Sequence, residues 1–163
     1  LIDKPCWGVL IDGDARSCDS KGLKTLIPDI VTIFNDSNGK TRFGIFDAKY
    51  YCPKLSEHEI QGVPGIESVT KQILYQRAYS DFIRENAIDS CQNAFLFPKE
   101  SDGVDYLGYA DFPIMERETP PLVNGIDCFM LSAYEVFDSY LNDRPLEKHT
   151  LSFLLRHRCE DLW

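Results

Sequence analysis

The chain has 163 residues, 44% of them hydrophobic, and a formal net charge of −9 at pH 7. That length fits one domain able to bury roughly 70% of its unfolded surface, so its core needs no disulfide or metal staple. The acidity excludes tight DNA binding by the chain's own electrostatics, and no apolar run approaches the roughly 18 residues of a membrane span.

Residues 1–6 show no basic stretch leading into an apolar one, so no signal peptide is expected. The chain starts at Leu1, not Met, and reads as a single domain over 1–163, a fragment lacking upstream N-terminal sequence. Cysteines stand at 6, 18, 52, 91, 128 and 159, with no CxxC pair among them. Free thiols in a reducing cytoplasm are the expectation. His157 and Cys159 form a near pair that nothing elsewhere matches, which leaves zinc without a ligand set.

In chain order, residues 1–25 are polar and read as irregular. Residues 26–34 (LIPDIVTIF) are β-rich, residues 35–40 (NDSNGK) carry turn chemistry centred on Asn38-Gly39, and residues 42–51 (RFGIFDAKYY) read as a second strand. Together they predict a β-hairpin. Residues 52–65 hold prolines and glycines and read as a loop.

Residues 68–88 predict the longest helix. Ser68 or Thr70 would cap it, and Val69, Ile73, Ala78, Phe82 and Ile83 would face the core. Residues 94–98 and 108–115 read as strands separated by the acidic turn 101–105. Residues 129–141 predict an amphipathic helix with Phe129, Ala133, Val136, Phe137, Tyr140 and Leu141 at helical spacing. A short helix over 150–158 closes the chain. The order predicts an α/β fold, a mixed central β-sheet flanked by helices.

The chemistry concentrates on the hairpin. Side chains alternate along a strand, so Asp47 and Lys49 share a face. If Ser37, Asn38 and Gly39 form the loop, with Gly39 left-handed, Asp36 pairs with Lys40. Counting outward then sets Asp29 directly opposite Asp47. Two carboxylates so placed repel each other, and a divalent cation preferring hard oxygen would offset that cost. Mg²⁺ is the expected ion. The Ala48 carbonyl could add a further oxygen, and Lys49 would orient water and stabilise charge on a phosphate.

On the helix, Gln72, Tyr75, Gln76 and Tyr79 share one face. That face is either solvated or carries Gln72 to the metal site or scissile phosphate, supported by Tyr75 or Gln76. Asp12-Gly13-Asp14 hints at a cation loop, but an EF-hand needs a distal glutamate, and position 23 is Leu. No GxGxxG or P-loop is present, so the chain carries no nucleotide motor of its own.

IPDIVTIF, FGIFDAKYY and VTKQILYQRAYSDFI together resemble the PD-(D/E)XK nuclease superfamily, and more closely LlaJI-type restriction endonucleases, relatives of the McrBC nuclease subunit. The likeness is strongest over residues 26–83. It implies a restriction-endonuclease-like core and a prokaryotic, cytoplasmic DNA endonuclease of a restriction system. It also implies Mg²⁺, with Mn²⁺ as a substitute, held by Asp29 and Asp47, with Lys49 catalytic and Gln72 as the helix glutamine. The implied partners are DNA and an AAA+ GTPase that translocates it. Many members place a glutamate before the first strand, whereas residues 1–25 contain none. Two other readings stand beside this one: a repair or recombination nuclease of the same fold, and a non-catalytic interaction module built on it.

Overall fold

The structure is a computed structural model and describes residues 2, 6–11, 14–19, 25–36, 38–112, 125–147, 150 and 153–154. A five-stranded mixed sheet organises it. Its strands are β3 (Ile30–Asn35), β4 (Thr41–Ala48), β7 (Ser90–Lys99), β8 (Val104–Ala110) and β9 (Ile126–Ser132), in the spatial order β3-β4-β7-β9-β8. The β4–β7 and β7–β9 pairs are parallel, and both outer pairs are antiparallel. Two small hairpins stand outside this sheet: β1 (Cys6–Ile11) with β2 (Asp14–Asp19), and β5 (Lys54–Leu55) with β6 (Ile60–Gln61).

The β3–β4 hairpin takes the register its turn chemistry predicts. The Asp36 amide donates to the Lys40 carbonyl at 2.9 Å, and Gly39 has φ +75°, where a Cβ would be strained. The Asp36 carboxylate caps the turn by accepting from the Asn38 and Lys40 amides. Ile30 pairs with Phe46 and Ile33 with Phe43, which continues the same count. The ladder, however, begins at Ile30 and β4 ends at Ala48. Asp29 and Lys49 therefore sit one residue beyond the strands expected to contain them.

Alternation along the buried strands produces two cores. Phe46, Ala94, Phe129 and Leu131 form one face with Leu154. Phe43, Ile45, Phe95 and Phe97 lie on the other, beneath the helices α1 (Ile66–Ala78) and α2 (Ser80–Glu85). Asp47 continues the Phe43–Ile45 series, so its side chain emerges on the helical face.

Several expectations are corrected. The N-terminal region is not irregular throughout, because β1 and β2 pair there. The loop over 52–65 contains the β5–β6 hairpin. The long helix starts at Ile66 after Gly65, with no side-chain cap from Ser68 or Thr70. It breaks at Tyr79 (φ −93°, ψ 0°), where the Ser80 hydroxyl donates to the Arg77 carbonyl at 2.7 Å. Serine competing for backbone groups interrupts a helix without Gly or Pro. Of its expected core face, Ile73 is buried while Phe82 is exposed.

The strand expected over 94–98 extends across Ser90–Lys99, and that expected over 108–115 is β8, ending at Ala110. Residues 113–115 lie outside the described residues. The helix expected over 129–141 is in fact two elements. Residues through Ser132 belong to β9, and α3 (Ala133–Leu141) begins after them. Ser132 caps α3 by accepting from the Glu135 amide at 3.3 Å, and Glu135 reaches back to the Gly103 amide at 3.0 Å. Most of the expected helix over 150–158 lies outside the described residues, although Thr150, Phe153 and Leu154 are helical. Of the Asp12-Gly13-Asp14 segment, only Asp14 is described. Among the described residues, no helix is long and apolar enough to cross a membrane.

Candidate active site

The site forms where the hairpin ends run out of the sheet. Asp29 is fixed from β4, because its Oδ2 accepts from the Ala48 amide at 3.0 Å. The Ala48 amide thus points towards the β3 side, and its carbonyl shares that direction, since both groups of a strand residue face one neighbour. Above the segment leading into Asp29, the Tyr75 hydroxyl donates to the Ile27 carbonyl at 3.0 Å. Helix α1 thus holds the chain two residues ahead of the aspartate.

Asp47 lies against Asp29 and forms an ion pair with Lys49. Burial pushes the Asp47 carboxyl up from its ordinary value; Lys49 opposes that shift, and the Asp29 carboxylate adds to it. Two acids are thus close enough to raise one of them, with one cation paired to Asp47. Lys49 is itself placed by β7: its amide donates to the Leu96 carbonyl at 2.8 Å, and its Nζ lies 5.7 Å from the centroid of the Phe95 ring. Phe95 is completely buried and pairs with Asp47 across the β4–β7 ladder. An ammonium over an aromatic face is attracted by the ring quadrupole.

Gln72 has the burial of a core residue, at 0% exposure. Its Nε2 donates to the Ile45 and Ala94 carbonyls, at 3.3 and 3.4 Å, tying α1 to both β4 and β7 just below Asp47. Its Oε1 is buried without a hydrogen-bond partner. Gln72 was expected at the metal or scissile phosphate; its amide hydrogens go to the sheet instead. Asn93 completes the layer, donating to the Gln72 carbonyl at 3.1 Å and to Gln76 Oε1 at 3.0 Å. The glutamine–tyrosine face of α1 is therefore its sheet-facing side, not a solvated one.

The structure thus gathers Asp29, Asp47, Ala48, Lys49 and Tyr75 at the site, with Gln72 and Gln76 in the layer beneath. Asn93 and Phe95 were missed as supports. A polar Asn within the apolar run of β7 was the available signal. Two carboxylates and a backbone carbonyl are hard oxygen donors and could hold a divalent cation. Among the described residues, no third Asp, Glu, His or Cys joins them as a ready metal cluster.

Comparison with known proteins places the chain in a family. Residues 1–134 match the profile of the LlaJI restriction endonuclease family. The chain is 32% identical over 152 residues to the type II restriction enzyme BsuMI component YdjA of Bacillus subtilis (strain 168). That match covers 92% of the chain but 30% of the relative's length. No solved structure matches. The mixed sheet and hairpin site define a restriction-endonuclease-like core. The chain belongs to the LlaJI restriction endonuclease family.

Proposed function

We propose that the chain is the nuclease unit of a prokaryotic restriction system, hydrolysing DNA phosphodiester bonds with Mg²⁺. The observation that carries this reading is that Asp29, bonded to the Ala48 amide at 3.0 Å, stands beside Asp47 and its ion pair with Lys49. Asp29, Asp47 and the Ala48 carbonyl would hold the ion, which keeps several waters and needs few protein ligands. Bound there, Mg²⁺ supplies Lewis-acid stabilisation of charge on the phosphate, and Mn²⁺ can substitute.

The residues of the chain do the rest. Asp29 is oriented by the Ala48 amide and by the grip of Tyr75 on Ile27. Lys49 positions the attacking water and offsets charge that grows on the phosphate oxygens as the water oxygen bonds to phosphorus. The attacking water gives up its proton to solvent as the phosphorus–oxygen bond to the leaving strand breaks, and the leaving oxygen takes up a proton from solvent. Gln72 supports the floor of the site by holding the two strands together and is assigned no chemical step.

The acidic chain fits a nuclease delivered to DNA by another protein. The Bacillus relative is described as a component of its enzyme, and the family resemblance implies an AAA+ GTPase as the delivering subunit. The deciding experiment is DNA cleavage by the full-length protein, with and without its genomic-neighbour NTPase, in Mg²⁺ and in EDTA. Cleavage in Mg²⁺ that disappears in Asp47→Ala supports the reading. Undiminished cleavage by that variant overturns the site assignment, and preference for branched or end-bearing DNA would move the task to repair or recombination.

A further inference from the structure

We propose that Lys71 is a phosphate-binding residue that seats the DNA backbone beside the Asp29–Asp47 pair, and that Glu67 is its built-in competitor. This inference rests on the nuclease reading above.

Glu67, Lys71 and Tyr75 are spaced i, i+4 and i+8 along α1, so they form one stripe. The inner end of that stripe is fixed at the site, because the Tyr75 hydroxyl holds Ile27 ahead of Asp29. At the outer end, Lys71 Nζ lies 2.6 Å from Glu67 Oε1, with the Lys71 side chain 46% and the Glu67 side chain 81% exposed. The stripe is coupled to the site electrostatically. Lys71 is held in its charged form by Glu67 first, with Asp47 contributing, and Glu67 in turn feels Lys49.

A DNA strand approaching two aspartates in a chain of charge −9 needs cations on both sides of the scissile phosphate. Lys49 is engaged with Asp47. Lys71 is the ammonium that α1 carries, and its hold on Glu67 is an exposed i,i+4 pair of the kind that contributes little to folding. A phosphodiester oxygen offers the same charge-assisted bond and can displace the carboxylate. Without DNA, Glu67 neutralises Lys71; with DNA, the lysine changes partners while the helix stays in place.

The test measures affinity of the full-length protein for a duplex DNA across a salt series, with Ca²⁺ replacing Mg²⁺ to prevent cleavage. Lys71→Ala should bind more weakly, with the slope of log affinity against log salt reduced by about 0.9. Lys71→Arg should retain the slope. Glu67→Gln should bind several-fold more tightly than wild type, and the double variant Glu67→Gln/Lys71→Ala should match Lys71→Ala. An unchanged slope in Lys71→Ala overturns the proposal, and so does weakened binding by Glu67→Gln, which would make the pair merely structural. If wild type cleaves DNA in Mg²⁺ while the Lys71→Ala slope is unchanged, only this proposal falls. If wild type neither binds nor cleaves DNA even with its genomic-neighbour NTPase present, the nuclease reading falls and takes Lys71 with it.

Discussion

The Asp29 carboxylate accepts a hydrogen bond from the Ala48 backbone amide at 3.0 Å, across a sequence separation of 19 residues. This bond does for Asp29 what the β-ladder does for its neighbours, because Asp29 lies just outside the ladder. At the proposed metal site, the backbone thereby positions this carboxylate before any ion arrives.

The first expected outcome concerns charge. Asp29→Asn keeps an oxygen for the Ala48 amide but removes one of the two opposed charges, so the metal-free protein should gain up to about 1 kcal/mol at pH 7. The sign follows from Asp47, whose carboxyl is raised by burial and, after the opposing effect of Lys49, by Asp29. A raised acid contributes stability below its unfolded pKa and loses it as pH rises through the folded pKa. The advantage of Asp29→Asn should therefore be present at pH 7 and vanish near pH 3. Thermal unfolding in EDTA at both pH values measures it.

Lys49→Ala should lower cleavage by 10²-fold or more while leaving the fold intact, since Lys49 lies at the end of β4 and its amide bond to Leu96 needs no side chain. Plasmid cleavage in Mg²⁺, alongside circular dichroism, checks both halves. Loss of the fold in this variant would count against a purely chemical role.

Tyr75→Phe removes the hydroxyl bond to Ile27 and nothing else of the ring's packing. Stability should fall by about 1 kcal/mol. Mn²⁺ affinity, read by calorimetry, should weaken roughly 10-fold, as for groups that orient metal ligands through an intermediate. Unchanged Mn²⁺ affinity would show that Asp29 is held well enough by Ala48 alone.

Gln72→Ala should cost roughly 2–4 kcal/mol, because it opens a cavity in a fully buried position and releases the Ile45 and Ala94 carbonyls from α1. Denaturant unfolding reads the loss. A cost within experimental error would mean that the amide bonds across β4 and β7 hold nothing together.

Gly44→Ala addresses the sheet. A Cβ there would stand 2.6 Å from Phe46 Cε2 and 2.9 Å from Thr32 Cγ2, closer than side chains tolerate. Overpacking of about 1–3 kcal/mol should appear as a lowered thermal midpoint.

The hairpin was legible because its determinants are local. Asn38-Gly39 chose the turn, the turn chose the register, and the register set Asp29 opposite Asp47. The non-local parts were not legible. Phe129 fits a helical series running through Ala133, and also a buried strand; only its pairing with Leu96 in β7 and Tyr106 in β8 decides. The burial of Gln72 is non-local in the same way: a polar helical face usually meets water, but here the sheet offers carbonyls for it to bind.

The compactness of the site in sequence bears on the order in which the protein assembles. The Asp29–Ala48 bond spans 19 residues, whereas the parallel pairings of β4 with β7 and of β7 with β9 each join residues much farther apart in the chain. Short loops close at lower entropic cost and long-range parallel pairing is slow. The hairpin is thus expected to form early, with higher φ-values at Ile45 than at Phe129. The opposed acids would then come together before the rest of the sheet is in place, and the late-arriving strand β7, with Phe95 and the Leu96 carbonyl, would be what makes their company tolerable.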